Sequence, residues 1–244
     1  MRVIVTENFY QTCEIAAGMI CDVIRKTPNA RLGLATGSTA QGVYPYLVEA
    51  SRKGEADFSR VNTVNLDEYV GLAPDHPQSY RRFMDENLFD HINIDKKNTF
   101  VASGVGDIEA NVREFRQALE KKPIDVQLLG IGVDGHVGFN EPGKVLHDGA
   151  HVEELDASTI DANARFFASR DEVPTQAISM GMGDIYRAKK LILLATGESK
   201  VEAMKGLLLN DEIDMRNPAT LLKTHADITV IIDKTLANST GYVY

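Results

Sequence analysis

Cysteine and positive charge are both scarce in this sequence, and each scarcity excludes a class of protein. The two cysteines, Cys13 and Cys21, lie in one apolar, helix-like stretch. They are too few for a disulfide framework and lack the close pairing of a zinc or redox motif. Lys and Arg number 26 against 35 Asp and Glu, which gives a net charge of −9. This charge repels polyanions, so we expect no nucleic acid or membrane partner, and any phosphate must be bound locally.

Long hydrophobic runs are also missing. No stretch approaches the roughly eighteen apolar residues of a membrane span, and Met1–Thr6 leads directly into polar sequence rather than into a signal-peptide core. No linker rich in Pro, Gly or Ser and no repeat of fixed period divides the 244 residues, of which 43% are hydrophobic. We therefore expect one cytoplasmic domain over residues 1–244, with a sizeable core.

Short apolar runs alternate with longer amphipathic segments. This alternation predicts a protein of the α/β class, a Rossmann-like α/β/α sandwich in which helices cover both faces of a mostly parallel open sheet of about seven strands. The predicted strands are Val3–Val5, Leu32–Ala35, Val61–Leu66, Asn98–Val101, Val126–Ile131, Leu191–Ala195 and Ile228–Ile232. The clearest helical patterns are Ala40–Arg52, Gln78–Leu88, Ile108–Lys121 and Lys200–Leu209. Residues 139–175 fit neither period, and we expect a long loop there with one short helix, typical of a lid.

In parallel sheets, ligands bind beyond the carboxyl ends of the strands. A pattern typical of phosphate binding follows the second predicted strand at this point. Thr36, Gly37, Ser38 and Thr39 offer hydroxyls, a close backbone approach and free N–H groups at a helix start. The alternative is an ordinary Ser/Thr helix cap. A second copy of the pattern follows a later strand at Thr196–Lys200. Lys200 lies in the first turn of the following helix, where its positive charge is unfavourable next to the positive end of the helix dipole. A bound anion would offset this loss of stability, so the second copy favours phosphate binding.

Carboxylates follow the third predicted strand at Asp67 and Glu68. On extended backbone the two side chains point to opposite faces, so at most one of them faces a pocket. A carboxylate in that position is a candidate general base. Helix capping or solvation is the alternative explanation for such a pair.

The densest polar cluster follows the fifth predicted strand. Gly130, Gly132 and Gly135 match the dinucleotide fingerprint, but the Gly and Pro residues that follow break any helix there, so we reject a dinucleotide site. What remains is a glycine-rich loop with Asp134, His136 and Glu141, and a histidine between carboxylates is typical of acid–base catalysis. A zinc site is the weaker alternative, because no second histidine is placed to ligate.

Three more polar residues lie within residues 139–175. His147 and His151 have the spacing of a helical metal pair, but Gly149 between them argues against a helix, and we expect a solvated loop. Arg165, flanked by aromatic residues, could bind a phosphate with two hydrogen bonds, and surface charge is the alternative.

Four separated segments of the sequence resemble the glucosamine-6-phosphate deaminase family. They are Ala35–Thr39, Asn65–Leu72, Gly132–Pro142 and Ala164–Phe167. The similarity follows in order over essentially the whole chain. It implies that glucosamine 6-phosphate and water are converted to fructose 6-phosphate and ammonium, with no cofactor and no metal.

The same resemblance implies a role for each candidate residue. His136 would assist opening of the pyranose ring, with Asp134 and Glu141 orienting it and tuning its proton affinity. Asp67 would take the C2 proton and deliver it to C1. The phosphate would lie on the Thr36–Thr39 turn, with Arg165 and Lys200 closing over it.

Two features of this chain differ from the larger, allosteric hexamers of the family. Those members carry a basic cluster where this chain has His151–Glu154, and they have a longer C-terminal extension. We therefore expect hyperbolic kinetics, no activation by N-acetylglucosamine 6-phosphate, and a monomer or small oligomer. The rival hypotheses are a 6-phosphogluconolactonase-like hydrolase, which needs no base at C2, and a sugar-phosphate sensor without turnover.

Overall fold

The computed structural model describes residues 1–244 and contains two sheets. The larger sheet has seven strands, and every neighbouring pair in it is parallel. Its strands are β1 (Arg2–Thr6), β2 (Arg31–Leu34), β3 (Asn62–Asn65), β5 (Thr99–Phe100), β6 (Val126–Leu129), β9 (Leu191–Ala195) and β10 (Ile228–Asp233), in the spatial order β1-β10-β9-β6-β2-β3-β5. All seven predicted strands are present, and the predicted α/β class is confirmed.

The central strands are buried along their whole length because both faces of this sheet are covered. Every residue of β2, β6, β9 and β10 is buried, as is typical of a parallel sheet between helical layers. The helices are α1 (Phe9–Lys26), α2 (Ser38–Gln41), α3 (Tyr44–Arg52), α4 (Tyr80–Asn87), α5 (Ile108–Glu120), α6 (Ala157–Asn163), α7 (Met182–Tyr186), α8 (Val201–Leu208) and α9 (Lys234–Thr240). None of them is long and apolar enough to cross a membrane.

The helix predicted over Ala40–Arg52 is in fact two helices. It is interrupted between α2 and α3, where Pro45 occupies the first turn of α3. Proline is well tolerated there because the N–H it lacks has no partner inside the helix. The other three predicted helices correspond to α4, α5 and α8.

A second sheet of three antiparallel strands was not predicted. It consists of β4 (Asp67–Tyr69), β8 (Gln176–Ser179) and β7 (His151–Glu154), in the order β4-β8-β7. The prediction of a long loop with one short helix over 139–175 was therefore wrong in part, because this stretch contributes β7 as well as the short helix α6. A single residue, Leu66, separates β3 from β4, so the chain passes directly from the large sheet into the small one.

Candidate active site

Four adjacent strands of the large sheet lead into the four predicted motifs. In the order β9-β6-β2-β3, they are followed by Thr196–Lys200, the loop 130–141, Thr36–Thr39 and Asp67. Because the strands are parallel, all four motifs lie at the same edge of the sheet. The sheet topology thus brings together four motifs that are far apart in the sequence.

The two glycine turns have nearly the same backbone conformation. Gly37 has φ 89° and ψ 167°, and Gly197 has φ 87° and ψ 150°. Such positive φ angles are costly for residues with a Cβ, which explains glycine at both positions. Thr36 and Thr39 are half-buried, and Ser38 is exposed. The turns flank the loop that follows β6, one on each side.

His136 lies between two carboxylates. Its Nδ1 is 2.8 Å from Asp134 Oδ1 and 3.4 Å from Glu141 Oε2. The loop that holds it depends on glycine, since a Cβ on Gly132 would lie 2.3 Å from His136 Nδ1. Gly135 adopts φ +93° and has Asn217 against it. These close approaches fix the imidazole against the backbone of its own loop.

The two carboxylates control the charge of the imidazole. Burial lowers the pKa of His136, but the contacts with Asp134 and Glu141 outweigh this effect and raise it to about 9. Burial alone would raise the pKa of Asp134. The contact with His136 outweighs this effect and lowers the pKa of Asp134 to about 2. At neutral pH the group is therefore an imidazolium beside a carboxylate, ready to donate a proton.

Asp67 and Glu68 are both buried, with 6% and 2% exposure, but they face different surroundings. Glu68 accepts hydrogen bonds from the N–H groups of Tyr69, Tyr80 and Arg81 at 2.9, 3.0 and 3.1 Å. Asp67 faces the active site, where a Cβ on Gly138 would lie 3.6 Å from its Oδ2. Only one of the pair therefore faces the pocket, as the extended backbone predicts.

The pKa values of both carboxyls are raised. Burial, together with the charge of Glu68, raises the pKa of Asp67 to about 8, although His136 lowers it. Burial raises the pKa of Glu68 to about 7 against the effect of its three N–H donors. A carboxyl with a pKa near neutrality, beside a protonated histidine, is suited to accept and return a proton.

The two predicted phosphate-binding cations, Lys200 and Arg165, lie close enough for the charge of Arg165 to act on Lys200. Lys200 is half-buried, and burial lowers its pKa, with Asp134 opposing and Arg165 reinforcing this effect. Arg165 is exposed, and its guanidinium lies 4.6 Å from the centre of the Phe166 ring. Lys200 thus lies near both Asp134 and Arg165, and neither cation forms a hydrogen bond with the Thr36–Thr39 turn.

An aromatic cluster at the edge of the site was not predicted. Tyr69 packs against Tyr80, Phe139 and Phe167 at ring-centre distances of 4.9, 5.6 and 5.9 Å. Tyr80 begins α4, and its hydroxyl lies beside those of Tyr69 and Thr36. The cluster joins β4, the loop after β6, and the segment 164–167. Its members look like ordinary core residues in the sequence, so no local pattern could have identified them.

Two further residues support the loop 130–141, the proposed catalytic loop, from other elements. Ser179 Oγ accepts a hydrogen bond from the Phe139 N–H at 3.1 Å. Asn217 Nδ2 donates to the Ala203 carbonyl at 2.8 Å, while its side chain lies against Gly135. These contacts join residues far apart in the sequence, so they too escape prediction from spacing.

The fold and the site together define an α/β protein with acid–base groups and two glycine turns at one edge of a parallel sheet. Residues 7–231 match the family described as glucosamine-6-phosphate isomerases/6-phosphogluconolactonase. The chain belongs to this family.

Individual relatives extend the likeness over nearly the whole chain. Glucosamine-6-phosphate deaminase from Thermoanaerobacter pseudethanolicus is 48% identical over 240 residues, which are 98% of this chain and 94% of the relative. The deaminase from Clostridium beijerinckii is also 48% identical, over 98% of this chain and 99% of its own.

Solved structures divide into two groups. A monomeric glucosamine-6-phosphate deaminase superposes with a TM-score of 0.95 at 40% identity, covering 98% of this chain and 100% of its own. A 6-phosphogluconolactonase from Thermotoga maritima has a TM-score of 0.75 at 18% identity, with 96% and 99% covered. The second likeness concerns the fold alone.

Proposed function

We propose that this protein is a glucosamine-6-phosphate deaminase, which converts D-glucosamine 6-phosphate and water to D-fructose 6-phosphate and ammonium in the catabolism of amino sugars. The observation that carries the proposal is Asp67, a buried carboxyl of raised pKa at the same sheet edge as the His136 loop. Hydrolysis of a lactone requires no base at C2, so Asp67 favours the deaminase over the 6-phosphogluconolactonase alternative. The deaminases that resemble this chain at 40–48% identity support the same choice.

His136 is proposed to open the sugar ring. With a pKa of about 9, its imidazolium can donate a proton to the ring oxygen and then accept one from the C1 hydroxyl. Asp134 and Glu141 lie 2.8 and 3.4 Å from His136 Nδ1. They hold the imidazole in place and stabilise its charged form. The product of this step is the open-chain aldehyde.

Asp67 is proposed to move the proton between C2 and C1. Its carboxylate takes the proton from C2 while the His136 imidazolium donates a proton to the C1 oxygen, which leaves an enolamine. The carboxylic acid of Asp67 then delivers its proton to C1. The enolamine becomes a ketimine, and water hydrolyses it with release of ammonium. Burial suits Asp67 to both proton transfers. It raises the pKa of the carboxyl and so narrows the gap between this pKa and that of the C–H bond.

The phosphate is proposed to bind Thr36, Gly37, Ser38 and Thr39, with Arg165 and Lys200 supplying positive charge. Glycine at the turn permits a close backbone approach, and the hydroxyls can donate hydrogen bonds. Holding this remote group fixes C2 relative to Asp67, which is how binding energy serves catalysis. No cofactor or metal takes part in this scheme.

We further infer that the protein acts in the cytoplasm as a monomer or small oligomer, with a small-molecule partner rather than nucleic acid. The net charge of −9 supports the absence of a nucleic acid partner. The monomeric deaminase of 40% identity supports a small assembly. Residues 139–175 are proposed to close over the sugar, and Ser158 at 3.5 Å from Asp134 Oδ2 links α6 of this lid to the catalytic loop.

Ammonium release from glucosamine 6-phosphate by the chelator-treated protein tests the proposal. We expect rapid release by the wild type and a loss of at least about 10³-fold in Asp67→Asn, because amide nitrogen cannot act as the base. Asp57→Asn, an exposed carboxylate on a loop, is the matched control and should leave the rate unchanged. Absence of release by the wild type would reject the deaminase, and a lactone hydrolysis assay would then separate the lactonase from the sensor.

A further inference from the structure

A cluster of two histidines and a glutamate lies outside the proposed active site. His151 and Glu153 belong to β7, and His147 lies in the segment just before it. One ligating atom from each residue can be chosen so that all three lie within 4.8 Å of one another. The expectation of a solvated loop was wrong for His151, which is only 5% exposed. Its ring stacks on that of His147, with the ring centres 4.0 Å apart.

Both ring nitrogens of His151 face acceptors. Nδ1 is 3.2 Å from the Gly149 carbonyl oxygen, and Nε2 is 2.7 Å from Glu153 Oε2. A neutral imidazole has a single N–H, so one of these contacts needs a second proton or another cation. A histidine that donates Nδ1–H to a backbone carbonyl and presents Nε2 to a carboxylate has the arrangement common among metal ligands.

His147 supplies a second imidazole at the same place. Its side chain is exposed, and its ring stacks on that of His151 with the ring centres 4.0 Å apart, so a neutral ring offers a nitrogen lone pair beside His151. A metal ion uses the lone pairs of both rings and the charge of Glu153 together.

We propose that His147, His151 and Glu153 bind one divalent transition-metal ion, with Zn²⁺ the best fit to two imidazoles and one carboxylate. Zinc ligands at bond lengths of about 2.1 Å lie about 3.4 Å apart in tetrahedral geometry, with water as the fourth ligand. The ligating atoms of the three residues lie within 4.8 Å of one another, so they need only move slightly closer. Rotation of the exposed His147 side chain can provide this movement. Arg116, whose Nε donates to the Ala150 carbonyl at 2.7 Å, places a positive charge near His147 and opposes binding.

The position of the cluster gives the ion a structural role near the active site. His151 pairs with Ser179 on β8, and Ser179 pairs with Asp67 on β4. Two strand spacings place His151 about 10 Å from the proposed base. A bound ion would fasten the segment between Glu141 and β7 to the small sheet, which steadies one side of the catalytic loop. The chemistry proposed for Asp67 and His136 does not require it.

Zinc titration of the chelator-treated, full-length protein by calorimetry tests the proposal. We expect one equivalent of Zn²⁺ to bind the wild type, and His147→Gln and Glu153→Gln to weaken binding at least about tenfold. Cobalt gives a second readout, because Co²⁺ in such a site absorbs visible light and this absorption should disappear in His147→Gln. Thermal melting should rise when zinc is added to the wild type, and the rise should be absent in the same variant.

Two controls locate the ion. His91→Gln removes an exposed histidine elsewhere and should bind Zn²⁺ as the wild type does. Asp134, His136 and Glu141 form a second group with ligand spacing, so His136→Gln should also retain one equivalent. Failure of the wild type to bind zinc would overturn the proposal. Binding that survives His147→Gln but is lost in His136→Gln would overturn it as well, because the ion would then occupy the catalytic loop.

Discussion

At the scale of single residues, Asp67 and Glu68 show how one dipeptide can serve two purposes. Glu68 turns away from the pocket and joins β4 to the first turn of α4 through the N–H groups of Tyr80 and Arg81. Its charge also raises the pKa of Asp67. The alternation of an extended strand therefore places the proposed base on one face and an anchor to α4 on the other.

Glu68→Gln should move the pH dependence of the reaction. The amide keeps the size of the side chain but removes a negative charge beside Asp67, so the pKa of Asp67 falls. Because the base must be ionised, the acidic limb of the kcat/KM profile should move to lower pH by about one unit. A purely structural role would lower kcat/KM at every pH and leave that limb in place. Profiles of wild type and variant between pH 5 and 9 distinguish the two outcomes.

Asp67→Asn should be more stable than the wild type although it is inactive. The pKa of Asp67 is raised to about 8 in the folded protein, so the folded state binds its proton more tightly than the unfolded state does. Stability is therefore lost as pH rises from about 4 towards 8. Replacing the carboxyl by an amide removes this loss, which we expect to be on the order of 2 kcal/mol at pH 8, or about 4–8 °C in Tm.

Melting curves at two pH values provide the check. The gain in Tm for Asp67→Asn should be large at pH 8 and should shrink at pH 4, where Asp67 is protonated in the folded state and about half protonated in the unfolded state. A gain of equal size at the two pH values would contradict the electrostatic origin. Asp57→Asn, an exposed carboxylate, should show no gain at either pH.

At the scale of elements, the glycine turns after β2 and β9 are the clearest case in which sequence predicts geometry. The patterns Thr-Gly-Ser and Thr-Gly-Glu, each after an apolar strand, predicted a glycine turn at both places. Both glycines adopt φ near 90°. The small sheet escaped prediction for a physical reason. Its strands have three or four residues, and β7 is polar, so no hydrophobic alternation is long enough to mark them.

Gly37→Ala should weaken binding of the sugar phosphate. An alanine Cβ meets no atom within 4 Å there, but φ +89° is unfavourable for it, so the turn should relax and move its N–H groups away from the phosphate. We expect KM to rise about fivefold to tenfold, with a smaller change in kcat. Gly54→Ala is the matched control, because Gly54 also has positive φ and open space but lies on a remote turn. An equal rise of KM in both variants would show that the effect is general strain.

At the scale of the whole molecule, the parallel sheet brings together residues that local patterns describe only singly. Asp67, His136 and the two glycine turns were each predicted from their own segments, and the strand order β9-β6-β2-β3 places them side by side. The supports of the site could not be predicted in this way. Asn217 against Gly135 and Ser179 beneath Phe139 depend on contacts between distant segments, for which the sequence has no local signal.

Steady-state kinetics should be hyperbolic in glucosamine 6-phosphate and insensitive to N-acetylglucosamine 6-phosphate. Cooperativity requires coupled sites, and an anionic effector requires positive charge where it binds. Here the segment His151–Glu154 carries two carboxylates, and Glu153 is already paired with His151 at 2.7 Å. Sedimentation of the protein should give a monomer or small oligomer under the assay conditions. A sigmoidal curve that the effector makes hyperbolic would contradict this expectation and would require a basic effector site elsewhere on the molecule.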